Sequence, residues 1–435
     1  MRKAIRLIAP GFLLLLAGIL STLFVMTHNR RNAMRQGIPD SYYGLKHKGA
    51  GLYMGLKEHA TEAKDKSSDL YVAPSKTATP DPMGQKCPYA EPDAARARPL
   101  TRAVVVYLSV LGLNTSLERL TWCMRSLLEV VKTEPPAWRT DIVIYTENVT
   151  LSHLVDLGCK LTPRRKASDP FKCILVKHIP ISSRIPTAGS TDYEKDLVAQ
   201  LREYPPGDSL IALAEKSQAY VNYDYVVRVD LGVVFTPAFG QWLPPHCGLV
   251  TGTGGYGDQY NMHKLGQVAN NSGTYFNSTV WNIGSTWIGS PSLVAEVAKR
   301  AVYWMVHLSK REFSPKTRSQ AFWGAASMWP EWHYGVLGLY ASHIAINEVL
   351  EMGNKYPFTQ LDLDNPISLP ANCTLDGPIH LHTYHLPHCF GAYNGTDLLS
   401  AGSKSACCDY AGYIAADSLN ITATELSTKL RTIKL

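Results

Sequence analysis

Hydrophobic positions along the chain alternate between two spacings. Short β-branched runs predict strands at 103–110, 140–147, 171–179 and 225–229. Between them, apolar residues recur at helical spacing at 116–134, 151–158, 192–204 and 208–221. Ser116 is a candidate N-cap of the first helix. Strand–helix alternation of this kind predicts an α/β fold, with a mostly parallel sheet flanked by helices on both faces.

Beyond Pro237 the pattern changes but regular elements continue. Strands are expected at 247–257, 278–289 and 378–385, and helices at 290–310 and 331–350. These elements predict one α/β domain over residues 102–393. A cysteine-bearing tail, 394–435, follows it.

The first residues predict a membrane anchor. Leu7–Thr27 holds no charge and would span about 31 Å as a helix, enough to cross a bilayer. A cleaved signal peptide is the alternative, but no small-x-small cleavage site follows. We expect a cytoplasmic N-terminus (1–6), a signal-anchor (7–27) and a stem (28–101). The remaining chain would then be lumenal, in a single-pass type II arrangement.

Composition supports the lumen and excludes one class of partner. The net charge of +7 is spread along the chain, so nucleic-acid binding is not expected. The nine cysteines include four near the C-terminus, which suggests disulfides in an oxidising compartment. N-glycosylation sequons occur at Asn114, Asn148, Asn270, Asn277, Asn372, Asn394 and Asn420.

Residues 222–239, NYDYVVRVDLGVVFTPAF, carry the main candidate for chemistry. The apolar run Tyr225–Val229 predicts a strand buried on both faces, with Asp230 in a break at its carboxyl end. Ligands bind at that end of the strands in open α/β sheets. Strand alternation places Arg228 and Asp230 on one face, where they can bind a diphosphate and its cation. A structural salt bridge between them is the alternative.

A histidine-rich segment, HLHTYH, begins at His380. On a strand, His380 and His382 share one face and His385 points the opposite way. A His-x-His pair at strand spacing can bind a metal ion. The alternative is a polar strand near the surface.

The segment WNIGSTWIGSP resembles the Asn-x-Gly-Ser stretch that many GT-A glycosyltransferases place beneath the donor sugar. Asn282 and Ser285 supply hydrogen bonds, and Gly284 permits a close backbone approach. The segment follows the aspartate strand and precedes a helix.

The segment MWPEWHYG, 328–335, offers candidate catalytic and acceptor-binding residues. Trp329 and Trp332 can stack on sugar rings. Glu331, or His333 beside it, can act as general base on an acceptor hydroxyl. The alternative is a helix start with both tryptophans in the core.

The order of these segments resembles that of Golgi nucleotide-sugar glycosyltransferases of the GT-A fold, over residues 102–393. The arrangement is also similar to the fungal α-1,2-mannosyltransferase family, in which a tyrosine-rich strand likewise ends in Arg-Val-acid. In GT-A enzymes this strand ends in Asp-x-Asp. Here Asp230-Leu231-Gly232 keeps only the first carboxylate.

The resemblance implies a nucleotide-sugar donor, Mn²⁺, and transfer of a hexose to a glycan or glycoprotein acceptor. The metal ligands would be Asp230, His380 and His382, with Asp224 as a further candidate. Restoring the family pattern with Gly232→Asp should then strengthen Mn²⁺ binding. The alternative is a non-catalytic member of the fold that binds glycans or scaffolds other Golgi enzymes.

Overall fold

A computed structural model describes residues 98–111, 113–161, 172–277, 280–313, 332–353, 358–364, 375, 377–382 and 407–420. The predicted anchor and most of the predicted stem lie outside these residues. Within them, no helix combines the length and apolarity that crossing a bilayer requires. All described residues fall in one compact unit, Ser68–Leu435.

Most strands lie close to the predicted positions. In the described part of the chain they are β1 (Leu100–Leu108), β2 (Trp138–Thr146), β3 (Cys173–Lys177), β4 (Tyr225–Arg228), β5 (Val233–Phe235), β6 (Leu249–Thr253), β7 (Ile283–Gly289), β8 (Phe358–Leu361) and β9 (His380–His382).

The helices alternate with the strands in the first half of the fold. Those in the described ranges are α1 (Leu113–Thr133), α2 (Leu151–Asp156), α3 (Asp192–Leu201), α4 (Asp208–Glu215), α5 (Ala238–Gln241), α6 (Gln259–Asn271), α7 (Pro291–Arg311), α8 (Leu337–Gly353) and α9 (Cys407–Asn420).

Seven strands form one sheet in the order β3-β2-β1-β4-β7-β6-β8. Four of the six neighbouring pairs are parallel, and only the two pairings of β7 are antiparallel. Helices cover both faces, as shown by two separate clusters of buried side chains. One cluster contains residues from α3, α4, α6, α7 and α8, and the other contains residues from α1, α2 and α5. The mixed α/β fold with a mostly parallel sheet is confirmed.

Local signals in the sequence explain several helix ends. Ser290 caps α7, since its hydroxyl accepts from the backbone N–H of Leu293. Thr191 and Glu194 form a reciprocal capping box at the start of α3. Ser116 is not a cap, because α1 begins three residues earlier, at Leu113.

A two-stranded ribbon lies apart from the main sheet. In it β5 pairs antiparallel with β9, so that Val233 faces His382 and Phe235 faces His380. The C-terminal helix α9 covers the ribbon, and the Tyr410 hydroxyl donates to the Phe235 carbonyl at 2.9 Å. The predicted tail therefore contributes a helix that packs on the domain.

Disulfide bonds cross-link parts of the described region. Cys159, after α2, is bonded to Cys173 at the start of β3. Cys247 and Cys407 are each part of a disulfide as well. Among the described cysteines, Cys123 is a free thiol, and it is buried in α1.

Candidate active site

A cleft opens at the carboxyl ends of β1 and β4, beside α4. The space along its lining, open solvent included, is about 300 Å³. Its lining residues are Val105, Val106, Tyr107, Tyr145, Ser209, Leu213, Arg228, Val229, Asp230 and Leu231. Ligands of open α/β sheets bind at this edge. The cleft therefore places Arg228 and Asp230 where the sequence predicted them.

Arg228 is the buried cation of the cleft. Its Nη1 donates to the carbonyl of Ser285 on β7, and its Nη2 lies 3.5 Å from the hydroxyl of Ser209. The guanidinium also lies over the indole of Trp287, 5.2 Å from the ring centroid. These contacts fix the orientation of the guanidinium.

Asp230 is the exposed partner of this arginine. Its Oδ1 lies 3.0 Å from Nη2 of Arg228, and its side chain is 44% exposed. The predicted salt bridge is present, but it lies at the mouth of the cleft and not in the core. A carboxylate in this position can be reached by a ligand.

Backbone geometry explains the missing second carboxylate. Gly232 has φ +90°, a conformation that residues with a Cβ adopt only with strain. Gly232 is thus required by the turn between β4 and β5, and an aspartate there would distort that turn. Gly232→Asp would therefore strain the turn, so the intact geometry that tighter Mn²⁺ binding requires is not expected. Asp224 does not replace the carboxylate, because it binds Thr101 at the other end of β4.

The two histidines of β9 share one face but differ in environment. His380 is fully buried, with Nε2 3.0 Å from the Thr286 hydroxyl and 3.9 Å from Oδ1 of Asp364. Burial, with a smaller effect of neighbouring His382, lowers the pKa of His380 to about 3. His380 is therefore neutral at physiological pH and engaged inside the fold.

His382 lies nearer to the cleft. It pairs with Val233, which follows the Asp230–Gly232 turn directly. Both His382 and Asp230 act electrostatically on buried Asp364: the histidine lowers the pKa of that carboxyl and Asp230 raises it. The charges of Asp230 and His382 therefore both act on the carboxyl of Asp364.

Asp364 was missed by the sequence analysis. Its carboxylate accepts from the backbone N–H and the hydroxyl of Thr286, both at 2.7 Å. Burial is the largest influence on it and raises its pKa. A Cβ on Gly252 or Gly284 would overlap this carboxylate. No local signal points to it, because nothing in LDLDNP distinguishes Asp364 from its neighbours.

The residues of the Asn-Ile-Gly-Ser segment mostly make contacts within the fold. Asn282, at φ +53°, donates to the Gly254 carbonyl and accepts from Gly257 N–H at 2.9 Å. The close approach at Gly284 is to Asp364 and not to open space. Ser285 contacts a cleft residue through its carbonyl, which accepts from Arg228. The donor contacts predicted for Asn282 and Gly284 stay a prediction.

The predicted acceptor residues are placed only in part. Trp332 is stacked between Phe313 and Tyr340, at centroid distances of 5.6 and 4.3 Å, so both faces of its indole are covered. His333 is buried, and its Nδ1 accepts from Gly335 N–H at 3.0 Å, which caps a short 3₁₀ turn. Both residues are engaged in local packing. Trp329 and Glu331 lie outside the described residues.

The cleft carries a buried cation, Arg228, beside the exposed carboxylate of Asp230. Within the ranges that the structure describes, no group of three or more His, Cys, Asp or Glu side chains is arranged to bind a metal ion. The fit to Mn²⁺ is thus partial. The Asp230 side chain is exposed, His382 pairs with Val233 just after the Asp230–Gly232 turn, and Nε2 of His380 lies 3.0 Å from the Thr286 hydroxyl.

Comparison with known proteins gives a family and one distant structure. No curated protein matches the sequence. The matching solved structures include mouse xyloside xylosyltransferase 1 in its apo form. The two sequences are 13% identical, the match covers 60% of this chain and 85% of that chain, and the TM-score is 0.31. A superposition at this score says nothing about activity. A family model matches residues 96–435, and the chain therefore belongs to the family described as domain of unknown function DUF7164.

Proposed function

We propose that this protein is a glycosyltransferase that moves a hexose from a nucleotide-sugar donor to a glycan or glycoprotein acceptor. The observation that carries the proposal is the cleft at the carboxyl ends of β1 and β4. In it a buried arginine, Arg228, is paired with an exposed carboxylate, Asp230.

The donor's diphosphate would lie against Arg228. A guanidinium binds phosphate oxygens well, and burial strengthens that interaction because water screens it less. The hydroxyl of Ser209 lies 3.5 Å from Arg228 and donates to the Pro206 carbonyl at 3.0 Å, so it helps to hold the guanidinium and is not itself a free donor. The ring of Tyr107 lines the cleft beyond Val105 and Val106, and offers a surface for the nucleoside.

A divalent cation, Mn²⁺, would be held by Asp230 and His382. Two protein ligands are sufficient when the diphosphate and waters supply the remaining oxygens. When bound, the ion would neutralise charge on the leaving nucleotide. His380 is left out of this set, since its Nε2 is engaged with Thr286.

The acceptor would approach from the side of the 3₁₀ turn Tyr334–Val336. The Tyr204 hydroxyl donates to the Gly335 carbonyl at 3.2 Å and accepts from Gly338 N–H at 2.9 Å. The charge of Asp230 contributes to a raised pKa of this tyrosine, although burial is the main cause. The turn is therefore within electrostatic range of the cleft. Glu331, just before it in sequence, remains our proposed general base.

We place the enzyme in the Golgi membrane as a single-pass type II protein with a lumenal domain. The support is the uncharged segment Leu7–Thr27, the sequons and the disulfide between Cys159 and Cys173. Disulfides persist in oxidising compartments such as the secretory pathway.

A second candidate function is glycan binding without catalysis. The observation that favours it is the Arg228–Asp230 ion pair combined with Gly232. The arginine already neutralises the one accessible carboxylate of the motif, which reduces its attraction for a cation.

Donor hydrolysis separates the two candidates. The full-length protein would be incubated with a panel of nucleotide sugars, with and without Mn²⁺, and free nucleotide measured. Turnover of one donor that depends on Mn²⁺ supports the enzyme. Glycan binding without turnover of any donor would contradict it and favour the second candidate.

A further inference from the structure

A buried histidine–aspartate pair lies behind the wall of the cleft. Nε2 of His178, just after β3, is 2.9 Å from Oδ1 of Asp208, the first residue of α4. The two side chains are 0% and 2% exposed. The same carboxylate oxygen accepts from the backbone N–H of Ile181 at 2.8 Å. Asp208 therefore ties the end of β3 to the start of α4.

The pair reaches the cleft on two sides. The imidazole of His178 meets the ring of Tyr107 edge to face, with centroids 5.6 Å apart and planes at 88°. Asp208 is followed directly by Ser209, whose hydroxyl lies 3.5 Å from Arg228. Tyr107, Ser209 and Arg228 all line the cleft. A displacement of the pair would move both walls together.

Stability alone does not account for such a pair. Burying a carboxylate and an imidazole costs solvation, and an apolar pair of similar volume holds a loop equally well. Nδ1 of His178 adds to this cost, since it is buried without a hydrogen-bond partner among the described residues. Hydrogen bonds add a fixed geometry to packing, because a hydrogen bond sets direction as well as distance.

We propose that His178 and Asp208 are positioning residues of the cleft, which fix Tyr107 and Ser209 at the separation that a nucleoside diphosphate requires. This inference rests on the proposed function. The nucleoside lies on the Tyr107 side, and the phosphates lie on the side of Ser209 and Arg228. The pair contacts neither part and acts through the two walls.

Calorimetry on the full-length protein tests this assignment. UDP, GDP, CDP and ADP are titrated in the presence of Mn²⁺, and the nucleotide that binds is then used with the variants. Asp208→Ala should weaken its binding by about tenfold or more, since misplaced contacts lose affinity steeply. Asp208→Asn keeps an acceptor for His178 and Ile181, and should retain affinity to within about threefold.

Two further variants separate positioning from loss of fold. His178→Gln places an amide donor near Asp208 but removes the ring that meets Tyr107, so it should lose an intermediate amount of affinity. The matched control is His343→Gln, because buried His343 binds the Tyr256 hydroxyl at 2.8 Å in the core and does not line the cleft. It should lower the melting temperature and leave nucleotide affinity unchanged.

The outcomes distinguish the inference from the proposed function. Wild-type binding with unchanged affinity in Asp208→Ala overturns the positioning role alone. The positioning role is also overturned if His343→Gln loses as much affinity as Asp208→Ala at an equal loss of melting temperature. Failure of the wild type to bind any of the four diphosphates overturns the proposed function, and the positioning role with it.

Discussion

Nη2 of Arg228 lies 3.0 Å from Oδ1 of Asp230, and the two side chains differ greatly in exposure. The arginine side chain is 10% exposed and the aspartate 44%. The guanidinium is held from behind by the Ser285 carbonyl. A ligand that approaches the cleft therefore meets the carboxylate first, with a cation already fixed beneath it.

Asp230 should control metal-dependent nucleotide binding. Asp230→Ala should abolish the part of nucleoside diphosphate affinity that depends on Mn²⁺, and Asp230→Asn should nearly do so because the amide has no charge. Calorimetry with and without Mn²⁺ measures that difference. Asp224→Ala, at the opposite end of β4, is the matched control and should leave it intact. Unchanged Mn²⁺ dependence in Asp230→Ala would remove the metal site from the proposal.

Gly232 should resist the substitution that restores Asp-x-Asp. At φ +90° a side chain with a Cβ is strained, so Gly232→Asp should lower the free energy of unfolding by about 1–3 kcal/mol. Gly232→Asn is the control, since asparagine tolerates positive φ better and should cost less. Urea denaturation measures both changes. A Gly232→Asp protein as stable as the wild type, with tighter Mn²⁺ binding, would show that the turn accepts a second carboxylate.

Asp141 should make stability depend on pH. It is fully buried in β2, and burial raises its pKa to about 7, against hydrogen bonds from Tyr223 and Lys172 that lower it. Because this pKa is above that of the unfolded chain, the stabilising contribution is complete below about pH 4 and is lost as the pH rises through about 7.

The neutral variant Asp141→Asn isolates this effect. Its unfolding free energy relative to the wild type should rise by about 2–4 kcal/mol between pH 4 and pH 8. Tyr223→Phe, which removes a hydrogen bond that favours the ionised carboxylate, should move the change to higher pH. Urea denaturation across this range is the measurement. Parallel stability curves for wild type and Asp141→Asn would contradict the prediction.

The proposed topology can be checked in cells. If Leu7–Thr27 is a signal-anchor, glycosidase treatment should increase the gel mobility of the full-length protein. Carbonate washing should leave it in the membrane pellet. Replacing Asn148, which is exposed at the end of β2, with Gln is a control that removes one sequon. Recovery of an unglycosylated protein from the cytosol would disprove this topology.

Local patterns predicted much of the fold and the centre of the site. Strand alternation correctly placed Arg228 and Asp230 on one side of the chain. It could do so because alternation concerns residues that are neighbours along the chain. The break at Asp230 was likewise a local signal. The face shared by His380 and His382 follows from the same alternation.

The remainder depends on contacts between distant segments. The antiparallel direction of β7 and the pairing of β5 with β9 cannot be read from periodicity, and α6 and β8 were not predicted. Asp364 meets Thr286 across 78 residues and packs against Gly252 and Gly284. That packing by itself is sufficient to require a glycine at position 284.

Glu331 is the remaining candidate for the chemistry of transfer. Glu331→Gln keeps the shape of the side chain and removes the base, so turnover should fall by roughly 10²–10⁴-fold. Donor affinity, measured by calorimetry, should hardly change, since Arg228 and Asp230 are untouched. His333→Ala is the control beside it: His333 caps the turn through Gly335, so its loss should lower the melting temperature more than Glu331→Gln does. If Glu331→Gln instead lowers the melting temperature and keeps its specific activity, Glu331 stabilises the fold and the base lies elsewhere.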